Sequence, residues 1–332
     1  MQQPDVYDSR ANYSQNRLAE LRNRLAKLVE LKEFPELTIF AAGSYGRLEA
    51  SEHSDLDLFF FVGGDGENLK DPRTKELRMF GKVIEIADAM SFPKFSNDCE
   101  YLKILNTDSI LLNLGGRSDD HENYFTARML LLLEGRCLFG EKTFERITSR
   151  IVSSYFKDYP DHPQSFQPIF LINDICRYWK TLLLNYEHKR KVGEGPEEEL
   201  RKTKQKVRNF KLKYSRMTTC FASIVALGSF TAPVSERQVI EITRLTPRER
   251  LLSVVRRLPS SEPIVHCVLE GYAWFLGMTG LSTDELEGHF SDKAKRTEMF
   301  AKANEYGDSM FRLLQHVDSS DLKLRLLRTL VI

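Results

Sequence analysis

Two short stretches carry residue types and spacings suited to phosphate and metal chemistry. Gly43-Ser44 is followed, after ten residues, by Asp55-x-Asp57. Residues two apart in a strand face the same way, so the two carboxylates would project together from one strand end. Like charges that close repel. Solvent or basic neighbours can hold them, and so can a divalent metal, with the carboxylates bridging one or two Mg2+ ions. The Gly-Ser pair offers the complement: Gly43 lacks a Cβ and lets backbone N–H groups approach a phosphate. Ser44 adds a hydroxyl donor, and the start of a following helix adds positive dipole. One element would cradle a triphosphate and the other would hold the metals that bridge it.

These residues need strands and turns to position them. Leu37–Ala42 (LTIFAA) reads as a short buried strand ending at the Gly-Ser turn. Ser54–Val62 alternates acid and apolar residues and then becomes wholly apolar, as a strand with one wet end does. Phe80–Asp88 (FGKVIEIAD) reads as a third strand, with a loop at Gly63–Asp71 before it. In that third strand Glu85 sits between Ile84 and Ile86, where an acid is expensive without a partner. Beside Asp55 and Asp57 it would complete the metal site and help deprotonate an attacking hydroxyl. Asp88 is the alternative ligand, and pairing of Glu85 with Lys82 or Arg78 is the ordinary reading. Ahead of the strands, Leu18, Leu21, Leu25 and Leu28 recur at helical steps over about Gln15–Leu31, with Ser14 as N-cap and Pro35 as terminator.

From Pro93 onward the pattern is helical: Phe95–Leu105, Asp108–Leu114, Glu122–Glu134, Glu145–Phe156, Pro168–Lys191, Glu197–Leu227, Val239–Leu258, Pro263–Gly277 and Ala294–Val317. The expected fold class is therefore α+β, a small mixed-sheet domain over residues 1–140 and an all-helical domain over 141–332.

The stretch GSYGRLEASEHSDLDLFFF resembles the nucleotidyltransferase signature of the DNA-polymerase-β superfamily, a Gly-Ser turn followed by SDxDL on the next strand. Gly46, Arg47 and Glu49 match the extended form GGYGRGEL found in the catalytic domain of bacterial protein-modifying uridylyl- and adenylyltransferases. The tight likeness covers about 20 residues; LLLLEGRCLFG (Leu130–Gly140) and LINDICRYWKTLLLNYEHKR (Leu171–Arg190) carry a weaker one. The regulatory domains of the large nitrogen regulators are not found. Aminoglycoside nucleotidyltransferases and cyclic-oligonucleotide synthases of antiphage systems share the core motif. The resemblance implies a polymerase-β-like fold, two Mg2+ ions (or Mn2+) on Asp55, Asp57 and Glu85, and β/γ-phosphates held by Gly43 and Ser44. Arg47 either holds phosphate or pairs with Glu49.

A second stretch, Arg177–Arg216, contains 13 basic and five acidic residues, a local balance of +8 in a chain whose total is +1. Such a run is usually a solvated helix face. Here Lys202, Lys206, Asn209 and Lys213 fall at helical steps with Phe210 and Tyr214 between them, which suits a nucleotide or nucleic-acid backbone. Arg177, Lys180 and Lys213 are the candidate phosphate ligands of this run. Tyr178 could stack on a base, although a buried Tyr with a satisfied hydroxyl is the simpler reading.

Composition sets the limits. The chain of 332 residues has 48 Lys+Arg against 47 Asp+Glu, so any nucleic-acid contact must rest on a local patch. Five scattered cysteines without a CxxC pair argue against a disulfide framework and a structural zinc site. No signal-peptide pattern and no membrane-length apolar run occur, so a cytoplasmic location without membrane contact is expected. The expected activity is transfer of a nucleoside monophosphate from an NTP or dNTP to an acceptor hydroxyl of a protein or small molecule, with release of pyrophosphate. The alternatives are template-independent synthesis of an oligonucleotide or nucleotide signal, on a nucleic-acid end or in antiphage defence, and an inactive module that binds nucleic acid or a partner. The apolar C-terminal residues Leu322, Leu324, Leu326, Leu327, Leu330 and Val331 are read as docking within the fold or in a homodimer.

Overall fold

In the computed structural model, which describes residues 5–64, 72–95, 99, 102–190, 198–320 and 325–331, the run LTIFAA forms β1, Leu37–Ala42, with all six residues buried. A strand apolar on both sides needs cover on both sheet faces, and the flanking helices supply it. The first compact unit, Met1–Lys157, begins with α1, Val6–Leu25, N-capped by Asp5. After β1 come the single turn α2, Gly43–Gly46, and β2, Asp57–Val62. Then follow α3, Pro72–Ala89, β3, Ile104–Asn106, α4, Thr107–Leu112, and α5, Arg117–His121. The unit closes with α6, Tyr124–Glu134, β4, Arg136–Phe139, and α7, Glu141–Ser153.

The sheet order is β3-β2-β1-β4. β1 runs antiparallel to β2, with Leu37 opposite Val62 and Ala42 opposite Asp57, and antiparallel to β4; β3 is parallel to β2. One side of the sheet buries Ile39, Ala41, Leu58 and Phe60 with Leu18, Leu21 and Leu25 of α1 and Met79, Val83 and Ala87 of α3. On the other side Phe40 stacks on Phe59 at 5.4 Å and meets Phe144 of α7 edge-on at 5.8 Å. That contact ties α7 to the sheet. Arg128 of α6 adds a second tie: it forms a fully buried bidentate pair with Asp119 and donates to the Tyr155 hydroxyl at 2.8 Å. The unit consequently extends 17 residues beyond the expected boundary at 140.

Three expectations are corrected. Phe80–Asp88 is the second half of helix α3, because Met79, Phe80, Val83, Ala87 and Met90 form one buried stripe at helical spacing. The expected helix Phe95–Leu105 ends instead in strand β3; residues 96–98, 100 and 101 lie outside the described residues. The first helix starts well before Gln15, so Ser14 is a buried interior residue and not a cap. Its hydroxyl donates to the Arg10 carbonyl and accepts from the Ala50 N–H. Most of the loop expected at Gly63–Asp71 lies outside the described residues.

The second unit, Asp158–Ile332, is helical: α8, Ile169–Arg190; α9, Glu198–Lys211; α10, Met217–Gly228; α11, Glu236–Arg244; α12, Pro247–Arg257; α13, Glu262–Met278; α14, Thr283–Ser291; α15, Lys293–Asp318; and α16, Leu326–Val331. Of the expected rod Glu197–Leu227, the part from Glu198 onward is one continuous run, in which a π-helical turn at Leu212–Arg216 joins α9 to α10. The expected helix Val239–Leu258 is two helices, because Thr246 forms a capping box with Glu249 and Pro247 opens a new first turn. Leu326 is fully buried and packs against Gly228, so this C-terminal residue docks within its own unit; Leu322 and Leu324 lie outside the described residues. Among the described residues, no single helix is long and apolar enough to cross a membrane.

Candidate functional site

The antiparallel register sets Asp57 directly opposite Ala42, the last residue before Gly43. The end of β1 and the start of β2 thus bring the Gly-Ser turn and the second acid of Asp55-x-Asp57 together. Gly43 adopts φ +64°, and a β-carbon there would lie 2.3 Å from Asp57 Oδ2. Gly43 is required twice over, by its left-handed backbone and by the carboxylate that fills the space of its missing side chain. Asp55 stands immediately before β2 and is exposed; Asp57 is half-buried. Carboxylates are the hard oxygen donors that Mg2+ takes, one or two at a time, completing its shell with water or phosphate oxygens, so Asp55 and Asp57 are the residues here that could hold it.

The turn is held from beneath. Glu134, at the end of α6, accepts from the Gly43 N–H at 2.8 Å through Oε2 and from Arg47 Nη1 at 2.8 Å through Oε1. Arg47 Nε in turn donates to Glu49 at 2.7 Å. The side chains of Arg47, Glu49 and Glu134 are 6 %, 8 % and 0 % exposed. Burial lowers the pKa of Arg10 of α1 below the ordinary guanidinium value, and the charge of Glu49 opposes that shift. Two cations and two anions therefore share one buried site, which offsets the desolvation each would suffer alone. Gly46 permits the close approach: a β-carbon there would meet the Glu134 carbonyl oxygen at 2.0 Å. Leu48 adopts φ +60°, a conformation that costs a bulky residue about 1–3 kcal/mol and persists only when its surroundings enforce it.

This arrangement resolves the two readings of Arg47 in favour of the ion pair. It also changes the part played by Gly43: its N–H is occupied by Glu134, so Gly43 shapes the turn while Ser44 presents it. Ser44 is partly exposed, and its hydroxyl has no partner among the described residues.

Glu85 is not beside Asp55 and Asp57 on a neighbouring strand. It lies on the solvent face of α3, 66 % exposed, and pairs with Lys82 at 2.8 Å; Asp88 is exposed on the same helix. The ordinary reading of Glu85 holds, and neither residue is carried forward as a ligand. Among the described residues no group of three His, Cys, Asp or Glu is assembled for a metal ion.

The basic run belongs to the second unit. Lys202 pairs with Glu198 at 2.6 Å and Glu199 at 3.3 Å. Lys213 donates to Asn304 at 2.7 Å, Arg177 lies 3.6 Å from Asp174, and Lys180 is exposed. Phe210 and Tyr214 do not interleave with the lysines at the surface. They are buried, with Tyr214 stacked between Phe275 at 4.8 Å and Tyr306 at 4.5 Å, and burial pushes the Tyr214 hydroxyl above its ordinary pKa. Tyr178 is buried as well. Lys191, Glu194 and Glu197 of the run lie outside the described residues. A cleft of about 450 Å³ between α9, α14 and the start of α15 receives Lys206 and Arg296, but also Glu199, Asp284 and Glu287. Three acids against two bases make a poor polyphosphate site.

Reading the sequence for chemistry missed Glu134. Its signal was an acid closing the apolar run Met129–Leu133, a place where a carboxylate needs a buried partner. No protein-family model matches the chain, and no curated protein matches it in sequence.

Proposed function

We propose that the first unit is the catalytic domain of a metal-dependent nucleotidyltransferase. The observation that carries this reading is the fit of the Asp57 carboxylate into the space left by Gly43, which brings the phosphate-type turn against the second acid of Asp55-x-Asp57. The acceptor hydroxyl attacks the α-phosphorus of an NTP or dNTP in line. A new P–O bond forms, the bond to the pyrophosphate oxygen breaks, and the hydroxyl proton passes to solvent. Asp55 and Asp57 would hold Mg2+, which when bound supplies charge neutralisation at the phosphates. Ser44 contacts the β/γ-phosphates with its free hydroxyl, while buried Glu134, bonded to the Gly43 N–H, keeps the turn in place.

The resemblance in GSYGRLE supports transfer of a single nucleotide to a protein or small-molecule hydroxyl. The burial of Phe210 and Tyr214 removes the stacking surface that suggested a nucleic-acid strand. Ser44→Ala tests the phosphate contact: it is expected to raise the nucleotide KM several-fold with a smaller change in kcat, as loss of a ground-state contact does. An unchanged KM would remove Ser44 from the site.

A further inference from the structure

We infer that Glu134 is a positioning residue for the metal-binding acids, acting through the backbone of Gly43. This inference rests on the nucleotidyltransferase reading. One carboxylate oxygen of Glu134 holds the Gly43 N–H at 2.8 Å and the other holds Arg47 at 2.8 Å. Gly43 in turn borders the Asp57 carboxylate so closely that its α-carbon position sets where that carboxylate can lie. The chain of contact therefore runs Glu134, Gly43, Asp57. Glu49 is the control built into the fold, because it is the other anion on Arg47, is also buried, and forms an ion pair of similar length, 2.7 Å. Glu134 holds the Gly43 N–H directly, whereas Glu49 takes its hydrogen bond from Arg47. A purely structural role predicts that the two glutamates behave alike; a positioning role predicts that they differ at the metal.

A glutamine at 134 can turn its carbonyl oxygen to only one of the two donors, so its amide then faces the other N–H group and the clamp is lost. An aspartate at 134 keeps the charge but is one methylene too short to span both donors. The experiment measures Mn2+ binding to the full-length chain by electron paramagnetic resonance, with thermal unfolding of each variant alongside. Wild type, Glu134→Gln, Glu134→Asp and Glu49→Gln are compared. The expected result is at least tenfold weaker Mn2+ binding in both Glu134 variants and a change within twofold in Glu49→Gln, at similar losses of thermal stability. If Glu134→Gln fails to fold, Glu134→Asp decides alone. Equal Mn2+ affinity across folded Glu134 and Glu49 variants would overturn the positioning role and leave the metal site standing. A wild type that binds no Mn2+ would overturn the nucleotidyltransferase reading together with the inference.

Discussion

At Gly43 the chain has no room for a β-carbon and no freedom to avoid one. Gly43→Ala would place that carbon 2.3 Å from Asp57 Oδ2 and force an L-residue into left-handed backbone, itself a cost of about 1–2 kcal/mol. The expected outcome is a lower melting temperature together with lost Mn2+ binding, since the carboxylate must move; a variant that binds Mn2+ normally would separate the turn from the acids. Glu85→Ala is expected to do neither. An exposed residue paired with Lys82 contributes within about 0.5 kcal/mol, and turnover equal to wild type would confirm that the residue stands apart from the site. The difference between these two residues shows what was legible. Gly43 and Asp57 are close in sequence, and strand pairing of neighbours brings them together, so a local pattern sufficed for that contact. Glu134 lies 91 residues from Gly43, and nothing in its own neighbourhood names its partner. Glu85 was misplaced because its flanking isoleucines imitate a strand over a window too short to show the helical stripe.

Among the elements, that stripe is the useful lesson. α3 has Met79, Phe80, Val83 and Ala87 on its buried side, a spacing no strand can place on one face. Met79→Ala is accordingly expected to cost about 2–5 kcal/mol, measured by denaturant unfolding, because it opens a cavity beneath the sheet. Helix ends obey local chemistry more openly. Asp292 caps α15 by accepting from the Lys295 N–H at 2.9 Å, and the backbone N–H groups there hold its carboxyl below the ordinary value of 3.8. A lowered native pKa means that the cap stabilises fully above the unfolded pKa and loses its contribution as pH falls through the native one. Asp292→Asn, which can still cap, is expected to flatten that acid limb of the stability–pH curve; an unaltered limb would assign it to other carboxylates. The break at Pro247 is equally local: Thr246, Pro247 and Glu249 spell a helix start, which the apolar periodicity running through them obscured.

At the scale of the whole chain, two units divide the labour. The first carries the sheet, the Gly-Ser turn and the acids, and it ends beyond α7 because Phe144 and Tyr155 bind that helix segment to the sheet and to α6. Hydrophobic period does not show where one helical stretch leaves the first unit; the long-range contacts do. The second unit is built around rings, with Tyr214 between Phe275 and Tyr306. Tyr214→Ala is expected to destabilise that unit by about 3–5 kcal/mol while leaving Mn2+ binding by the first unit unchanged; loss of metal binding in a folded variant would contradict the assignment of the site to the first unit alone.

The most direct test of the central claim is turnover of α-labelled NTPs and dNTPs with Mg2+ or Mn2+ by the wild type and by the Asp55→Ala/Asp57→Ala double variant, with products resolved by gel and mass spectrometry. The account predicts label transferred from nucleotide to an acceptor, with pyrophosphate released, by the wild type alone. A single added nucleotide would match transfer to a protein or small molecule, and a ladder or cyclic product would place the same chemistry in nucleotide polymerisation or signalling. Transfer that persists in the double variant, or a wild type that binds neither metal nor nucleotide, would contradict it.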